Sequence, residues 1–447
     1  MAQDYLSEER REYRRKRRQQ NQRIAYGVMA GILLLIIVAV VVLVIGMKKP
    51  QGQAQGDTGV QQGQSGVQDA FDSEVAITPP PEPTATPEPT LSPEALLEQR
   101  IEETIAEMTI MEKVAGLFIV TPESITGVQA AVQAGEGTKD ALEEYAVGGL
   151  IYFAKNIESK EQLSLMISNT KAYSRYPLFI AVDEEGGSVS RVAGAGLATG
   201  QPSAAEIGAT GDANNAYVAG SNIGAYLSEL GFNVNLAPVA DLGNVADSAM
   251  AGRVYGATAA AVSPYVSAMV TGLQEQGVVG CLKHFPGIGS TTSDTHQGIA
   301  YSERTAEEFR AEEFQVFKAG MDAGAKMIMV GHITAEGLAS AQGETGAPLP
   351  ASLSEAIITG YLRGELGYQG VIITDAMNMS AISEYYSSEQ AAVMALKAGC
   401  DMVLMPENFL QAYAGVLNAV VDGTISEERI NDSLRRIYRI KYADGFQ

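Results

Sequence analysis

The residue types best suited to chemistry lie in and around a segment that begins at residue 283. All three histidines of the chain, His284, His296 and His332, lie there. Asp294 precedes His296 by two residues, and a carboxylate at that spacing can orient an imidazole and raise its basicity. Glycine, serine and threonine residues surround this pair and would allow a loop to close over a substrate. The pattern therefore indicates acid/base catalysis by Asp294 and His296.

A zinc site is the alternative interpretation of the same residues. Asp294 and His296 are close enough in sequence to bind one metal ion, and His284 could supply a third ligand. The same spacing also suits a carboxylate that orients and charges an imidazole. We therefore favour acid/base catalysis and expect neither a metal nor a cofactor.

The elements that must position these residues form a repeating pattern. Short apolar runs alternate with amphipathic segments, and we predict buried strands at 116–120, 149–153, 178–182, 233–238, 278–283, 327–330, 371–374 and 402–405. Repeated strand–helix units imply parallel strands and right-handed crossovers. Eight units predict an α/β fold, a closed (β/α)8 barrel of the TIM type. An open doubly wound sheet is the rival, but no glycine-rich turn follows the first predicted strand.

A barrel of this kind would bring the polar residues together. Catalytic groups of such barrels gather at the C-terminal ends of the strands. The residues at or just after these predicted ends are Asp183, Asp241, Lys283, His284, His332 and Asp375. We therefore expect one active site on this rim.

The first 93 residues predict a membrane anchor and a tether. Residues 1–23 are rich in arginine, 24–46 contain no charge, and 47–93 are rich in glutamine and glycine and then in proline and threonine. A 23-residue apolar run can cross a bilayer, and the basic flank would keep the N-terminus in the cytoplasm. We expect a single-pass cell-membrane protein with a disordered linker and an extracellular catalytic domain at 94–447. A cleaved signal peptide is the alternative.

Charge and composition exclude other classes of protein. The formal net charge is −22, and all of it falls after residue 93, so binding to a nucleic acid is disfavoured. Two cysteines exclude a disulfide scaffold. The chain has no tryptophan, so a short pocket for a terminal sugar is more plausible than a long polysaccharide groove.

Four segments, in order along the chain, resemble the motifs of family 3 glycoside hydrolases in the β-N-acetylhexosaminidase branch. Segment 180–187 is similar to the family's Asp-x-Glu-Gly-Gly stretch, and 233–241 is similar to its fourth-strand motif. Segment 283–296, which begins Lys-His-Phe-Pro-Gly, resembles the branch signature, and 373–379 resembles the strand that carries the nucleophile. The resemblance covers about residues 95–442 and implies the barrel fold.

The resemblance also implies roles for individual residues. Asp375 would be the nucleophile, and His296 would be the acid/base, oriented by Asp294. The implied substrate-binding residues are Asp183, Arg253, Lys283, His284, Asp241 and His332. Family members often have histidine at the position of Ile288 and arginine at that of Ser188, so the shape of the subsites should differ here.

The implied function is a retaining exo-β-N-acetylglucosaminidase that removes terminal GlcNAc from peptidoglycan-derived or other glycans. Larger family members add a second domain with a glutamate acid/base, and we expect that domain to be absent after Gln447. A second interpretation is another family 3 activity, either a β-glucosidase or a β-N-acetylglucosaminide phosphorylase. A third is a non-catalytic wall-binding module, which the intact set of Asp375, Asp294 and His296 disfavours.

Overall fold

Eight parallel strands form the centre of the computed structural model. We number them β1 to β8 in chain order: Phe118–Val120, Gly149–Ile151, Phe179–Val182, Val234–Asn235, Val279–Phe285, Met327–Val330, Val371–Thr374 and Val403–Leu404. Neighbours in sequence pair in parallel from β1 to β7, and β8 pairs with β1. A parallel bridge between Ile373 and Met402 joins β7 to the start of β8. The predicted (β/α)8 barrel is therefore present as a nearly closed ring.

The structure describes residues 92–243, 250–289, 291, 298–343, 346–443 and 445–446. The predicted segments 1–23 and 24–46, and the linker 47–93 except for its last two residues, lie outside this part. Within the described ranges no helix is long and apolar enough to cross a membrane. About 20 consecutive apolar residues are needed for a helix to span a bilayer. The barrel of the expected fold class is therefore present, but the described residues give no support to the expected transmembrane helix or to the expected single-pass cell-membrane location.

Burial explains why these short runs form strands. Every residue of the eight strands is buried. Strands that pack on both faces read as continuous apolar runs rather than as alternating ones. The sequence predicted β6 and β7 with the observed bounds, and the other six strands agree within a few residues.

Helices surround the ring, and their starts follow from local capping. Ser92 accepts a hydrogen bond from Ala95 N at 3.2 Å, and Pro93 opens the first helix. The α-helices are Pro93–Glu107, Ile110–Ala115, Pro122–Thr126, Glu136–Glu144, Lys160–Tyr173, Ala204–Ala209, Asn214–Leu230, Ala259–Gln274, Ala306–Ala311, Glu313–Asp322, Ser380–Ser383, Ser388–Ala398, Phe409–Val421 and Glu427–Lys441. A π-helical segment spans Ala356–Glu365, and short 3-10 turns span Ala154–Asn156 and Ala351–Leu353.

Two small sheets lie outside the ring, in loops that follow barrel strands. Glu184–Gly186 pairs antiparallel with Val189–Ser190 in the segment after β3. Ala300–Thr305, which follows β5, pairs in parallel with Ile333–Gly337, which follows β6. Both sheets therefore extend the loops at the C-terminal ends of the strands, where the predicted site lies.

Candidate active site

A cavity of about 430 Å³ lies at the C-terminal ends of the barrel strands. Its lining includes five of the predicted site residues: Asp183, Arg253, Lys283, His284 and Asp375. They come from three strand ends and from one longer loop after β4. The barrel thus brings together side chains that are far apart in sequence.

Lys283 links the two carboxylates that follow β3. Its Nζ lies 2.7 Å from Asp183 Oδ1 and 2.7 Å from Glu185 Oε1. The lysine is almost completely buried as the fifth residue of β5. Burial lowers its pKa, but Asp183 and Glu185 raise it more, so the amine is held in its charged form.

Arg253 holds Glu185 from the other side. Its Nε donates to Glu185 Oε2 at 2.8 Å, and its Nη2 donates to Oε1 at 2.6 Å. Burial raises the pKa of Glu185, but Lys283 and Arg253 lower it more, to about 2. Glu185 is therefore an anion throughout the neutral range and cannot donate a proton there.

Asp241 positions His284 from beneath the cavity. Its Oδ2 lies 2.7 Å from His284 Nδ1, and its Oδ1 accepts from Ile288 N at 2.7 Å. Asp241 is completely buried and binds both His284 and the turn that follows it. Because Nδ1 faces a carboxylate, the other ring nitrogen, Nε2, is directed at Asp375 from 4.0 Å.

Asp375 follows β7 and has one engaged oxygen and one open oxygen. Oδ1 accepts from Ala376 N at 2.7 Å. Oδ2 lies 4.0 Å from His284 Nε2 and accepts no hydrogen bond from the described residues. Burial raises the pKa of Asp375, but His284, His332 and Lys283 lower it more, below its ordinary value. The carboxylate is therefore charged at neutral pH and has an oxygen available to a substrate.

His332 supports the segment that carries Asp375. Its Nε2 lies 3.0 Å from the carbonyl oxygen of Ala376, and its Nδ1 lies 2.8 Å from Ser352 Oγ. A carbonyl oxygen only accepts, so Nε2 carries a proton. The histidine is completely buried and lies outside the cavity lining. Its contacts point to a supporting position rather than to direct contact with a sugar.

Comparison with known proteins identifies the family. The model of the glycosyl hydrolase family 3 N-terminal domain matches residues 101–440, which is most of the chain. The chain belongs to glycosyl hydrolase family 3. The resemblance seen in the four sequence motifs is therefore confirmed, as is the expected enzyme class at the level of the family.

Individual family 3 relatives agree with the expected branch. A protein named Beta-hexosaminidase A from Pseudoalteromonas piscicida is 33% identical over 327 residues, or 68% of this chain and 54% of that protein. A Beta-hexosaminidase from Stenotrophomonas maltophilia is 34% identical over 280 residues, or 60% of this chain and 78% of that protein. The chain thus spans about half the length of the first relative and most of the second.

A solved family 3 structure has the same barrel. It is a β-N-acetylglucosaminidase from Paenibacillus sp. str. FPU-7, with a TM-score of 0.68 and 34% sequence identity. The match covers 75% of this chain and 62% of that chain.

The predicted acid/base pair of this family 3 chain lies outside the described residues. Asp294 and His296 fall in the gap at 292–297, so their role stays a prediction. Within the described ranges, no group of three or more histidine, cysteine, aspartate or glutamate side chains is arranged to hold a metal ion. The zinc alternative involves the same two residues and is therefore untested.

Two further residues belong to the site. Glu185, the glutamate of the Asp-x-Glu-Gly-Gly stretch, is the partner of both Lys283 and Arg253. Arg191 lines the cavity beside Phe153, and its buried Nε has no hydrogen-bond partner among the described residues. Both residues follow Asp183 closely in sequence, and this proximity to a predicted site residue is a signal that could have indicated them.

Proposed function

We propose that this family 3 chain is a retaining, exo-acting β-N-acetylglucosaminidase. Its substrate class would be glycans with a terminal GlcNAc, including peptidoglycan fragments. The observation that carries the proposal is Asp375, a charged carboxylate with an open oxygen in a sugar-sized cavity. The relatives named β-hexosaminidase and β-N-acetylglucosaminidase support the choice of sugar.

Asp375 is suited to act as a nucleophile. Ala376 N–H holds Oδ1 and fixes the plane of the carboxylate, so Oδ2 can approach an anomeric carbon. Attack would form a glycosyl ester on Asp375 and expel the leaving group, and water would then release the sugar with retained configuration. The lowered pKa keeps the nucleophile ionised before the reaction.

The proton for the leaving group must come from a different residue. Glu185 has a pKa of about 2, and Asp183 and Asp241 are bound to Lys283 and His284, respectively. Glu185 therefore lacks a proton to give, and Asp183 and Asp241 are held by their partners. This favours the predicted pair, in which His296 is the acid/base and Asp294 orients it.

Recognition of the sugar would use the ion-pair network. Asp183 accepts from Lys283 on one oxygen and is 18% exposed, so its carboxylate can still accept from a sugar hydroxyl. Lys283 and Arg253 can each donate, and His284 Nε2 faces the same space. Hydrogen bonds that involve a charged group contribute about 1.5–3 kcal/mol each. A small number of such bonds would select the orientation of one terminal sugar.

The first test is turnover of aryl β-N-acetylglucosaminides and aryl β-glucosides, each with and without phosphate. We expect hydrolysis of the former, with no requirement for phosphate. A requirement for phosphate would favour a phosphorylase, and a preference for the glucoside would favour a β-glucosidase. No turnover of any substrate by folded protein would overturn the proposal.

The second test separates the two catalytic roles. A 5-fluoro glycosyl fluoride of GlcNAc should leave a glycosyl mass on the peptide that contains Asp375. His296→Ala should retain turnover of substrates with a good leaving group and lose turnover of those with a poor one, because only the latter need an acid. Asp322→Asn changes an exposed helical aspartate and serves as the control. A label on another residue, or equal losses for both leaving groups, would contradict the assigned roles.

A further inference from the structure

Glu184 is a buried carboxylate next to the site with no role in the proposed reaction. It is the variable residue, x, of the Asp-x-Glu-Gly-Gly stretch, between Asp183 and Glu185. Its side chain does not line the cavity. The residue is completely buried. Asn235 in β4 fixes its backbone from both sides, since Oδ1 accepts from Glu184 N at 3.0 Å and Nδ2 donates to Glu184 O at 2.8 Å.

The carboxylate of Glu184 holds a turn eight residues further along the chain. Oε2 accepts from Val192 N at 2.8 Å, and Oε1 accepts from Ala193 N at 3.0 Å. Oε1 also accepts from the hydroxyl of Tyr226 at 2.9 Å. Both oxygens of the Glu184 carboxylate therefore accept hydrogen bonds. Burial and the nearby Glu184 raise the pKa of Tyr226, so its hydroxyl keeps its proton and remains a donor.

The two amides that Glu184 binds directly follow Arg191. The backbone turns tightly there, because Ala195 N donates to Arg191 O at 3.3 Å and Gly196 N donates to Ala193 O at 2.9 Å. Val192 is completely buried and faces the core. Arg191 is directed the other way and lines the cavity, and its Nε has no hydrogen-bond partner among the described residues.

We propose that Glu184 is a positioning residue that fixes the turn after Arg191 and so holds the guanidinium in place for the sugar substrate. The inference rests on the proposed function. Arg191 has no carboxylate partner of its own in the described structure, so its direction depends on its backbone. The backbone is held in turn by the two amide hydrogen bonds to Glu184.

Glutamine is the informative replacement because it keeps the shape and removes one acceptor. Its amide oxygen can still accept from Ala193 N and from Tyr226. Its NH2 group then faces Val192 N–H, donor against donor, next to Arg191. We expect KM for an aryl β-N-acetylglucosaminide to rise about tenfold in Glu184→Gln, with kcat within about threefold, as for a loss of binding shared by ground and transition states.

A double-mutant cycle tests whether Glu184 acts through Arg191. Arg191→Ala should raise KM by itself, and Glu184→Gln should add almost nothing in that background. Tyr226→Phe, which keeps both amide contacts, should have a smaller effect than Glu184→Gln. Glu206→Gln is the matched control, because glutamine preserves the capping box that Glu206 forms with Ser203. Fully additive effects on KM would overturn the proposal.

Amide hydrogen exchange provides a readout that does not depend on catalysis. Exchange at Val192 and Ala193 should be at least about tenfold faster in Glu184→Gln than in the unmodified protein, because one anchoring acceptor is lost. Unchanged exchange at both amides would overturn the proposal. If the unmodified protein hydrolyses no aryl glycoside, the proposed function fails, and the exchange measurement still decides the role of Glu184.

Discussion

Two aspartates lie at opposite ends of neighbouring barrel strands and differ in how many hydrogen bonds their carboxylates accept. Asp375 follows β7 at the site end and accepts one hydrogen bond from the described residues, from Ala376 N. Asp401 precedes β8 at the other end, and both oxygens of its carboxylate accept hydrogen bonds. Its donors are Arg363, Ile372 N, Ser433 and Arg436.

The difference shows how one fold can use the same side chain in two ways. A carboxylate whose lone pairs are all used contributes to stability only when every partner is present. A carboxylate with an open oxygen costs stability but is available to a substrate. The arginines bound to Asp401 join the π-helical segment and the last helix to β8, whereas the surroundings of Asp375 leave space for a ligand.

The largest expected effect comes from Asp375→Asn. The amide is a poor nucleophile, so kcat for an aryl β-N-acetylglucosaminide should fall at least about 1,000-fold. The free energy of unfolding should change by less than about 1 kcal/mol, because few protein bonds are lost. Steady-state kinetics and urea unfolding check both. A variant that keeps a tenth of its activity would mean that Asp375 is not the nucleophile.

Asp401→Asn should give the opposite result. Removing the charge leaves Arg363 and Arg436 partly buried without their counter-ion, and breaking such a group costs about 3–5 kcal/mol. The activity of the remaining folded protein should be unchanged, because Asp401 lies at the far end of the barrel. Thermal unfolding and kinetics on the folded fraction measure these effects. A loss of kcat without a loss of stability would contradict the assignment of a structural role to Asp401 and a catalytic role to Asp375.

Glu313 sharpens the comparison because it is another incompletely bonded carboxylate near the site end. Its side chain lies against Gly287, and its Oε1 is 3.0 Å from Arg304 Nη1. Oε2 is buried and has no hydrogen-bond partner among the described residues. Burial raises the pKa of Glu313 to about 7, although Arg304 lowers it, and Asp241 adds to the rise.

This pKa predicts the sign of a pH effect on stability. The unfolded chain loses the Glu313 proton near the ordinary value of 4.5, whereas the folded protein keeps it up to about 7. The free energy of unfolding should therefore fall as pH rises through that window, by about 3 kcal/mol from this group. Glu313→Gln should lack this fall in urea unfolding at several pH values. Identical pH slopes for both proteins would refute the assignment.

The sequence predicted the elements of the barrel better than it predicted their interruptions. Fully buried strands leave a clear signal of short apolar runs, which is why all eight were found. The segment between β5 and β6 shows such an interruption: it forms two helices, Ala306–Ala311 and Glu313–Asp322, because the backbone leaves the helical region at Glu312.

The sequence predicted which residues lie at the site but not which of their side chains contact each other. Polar residues after strand ends indicated which side chains would meet at the rim. Lys283 and Asp183 are 100 residues apart, and their contact depends on the order and register of the strands. The shared binding of Glu185 by Lys283 and Arg253 depends on the same geometry, which no local pattern carries. The sequence also did not distinguish His332, which supports a neighbouring segment, from residues that line the cavity.

The smallest expected effect tests whether the hydrogen bonds of an exposed carboxylate contribute to the free energy of unfolding. Arg439 holds Glu98 through two hydrogen bonds of 2.7 Å, at the same end of the barrel as Asp401. Their side chains are 48% and 39% exposed, so water can replace either partner. Glu98→Gln should therefore change the free energy of unfolding by less than about 1 kcal/mol. A loss as large as that of Asp401→Asn would show that the number of bonds, rather than burial, decides what a saturated carboxylate contributes.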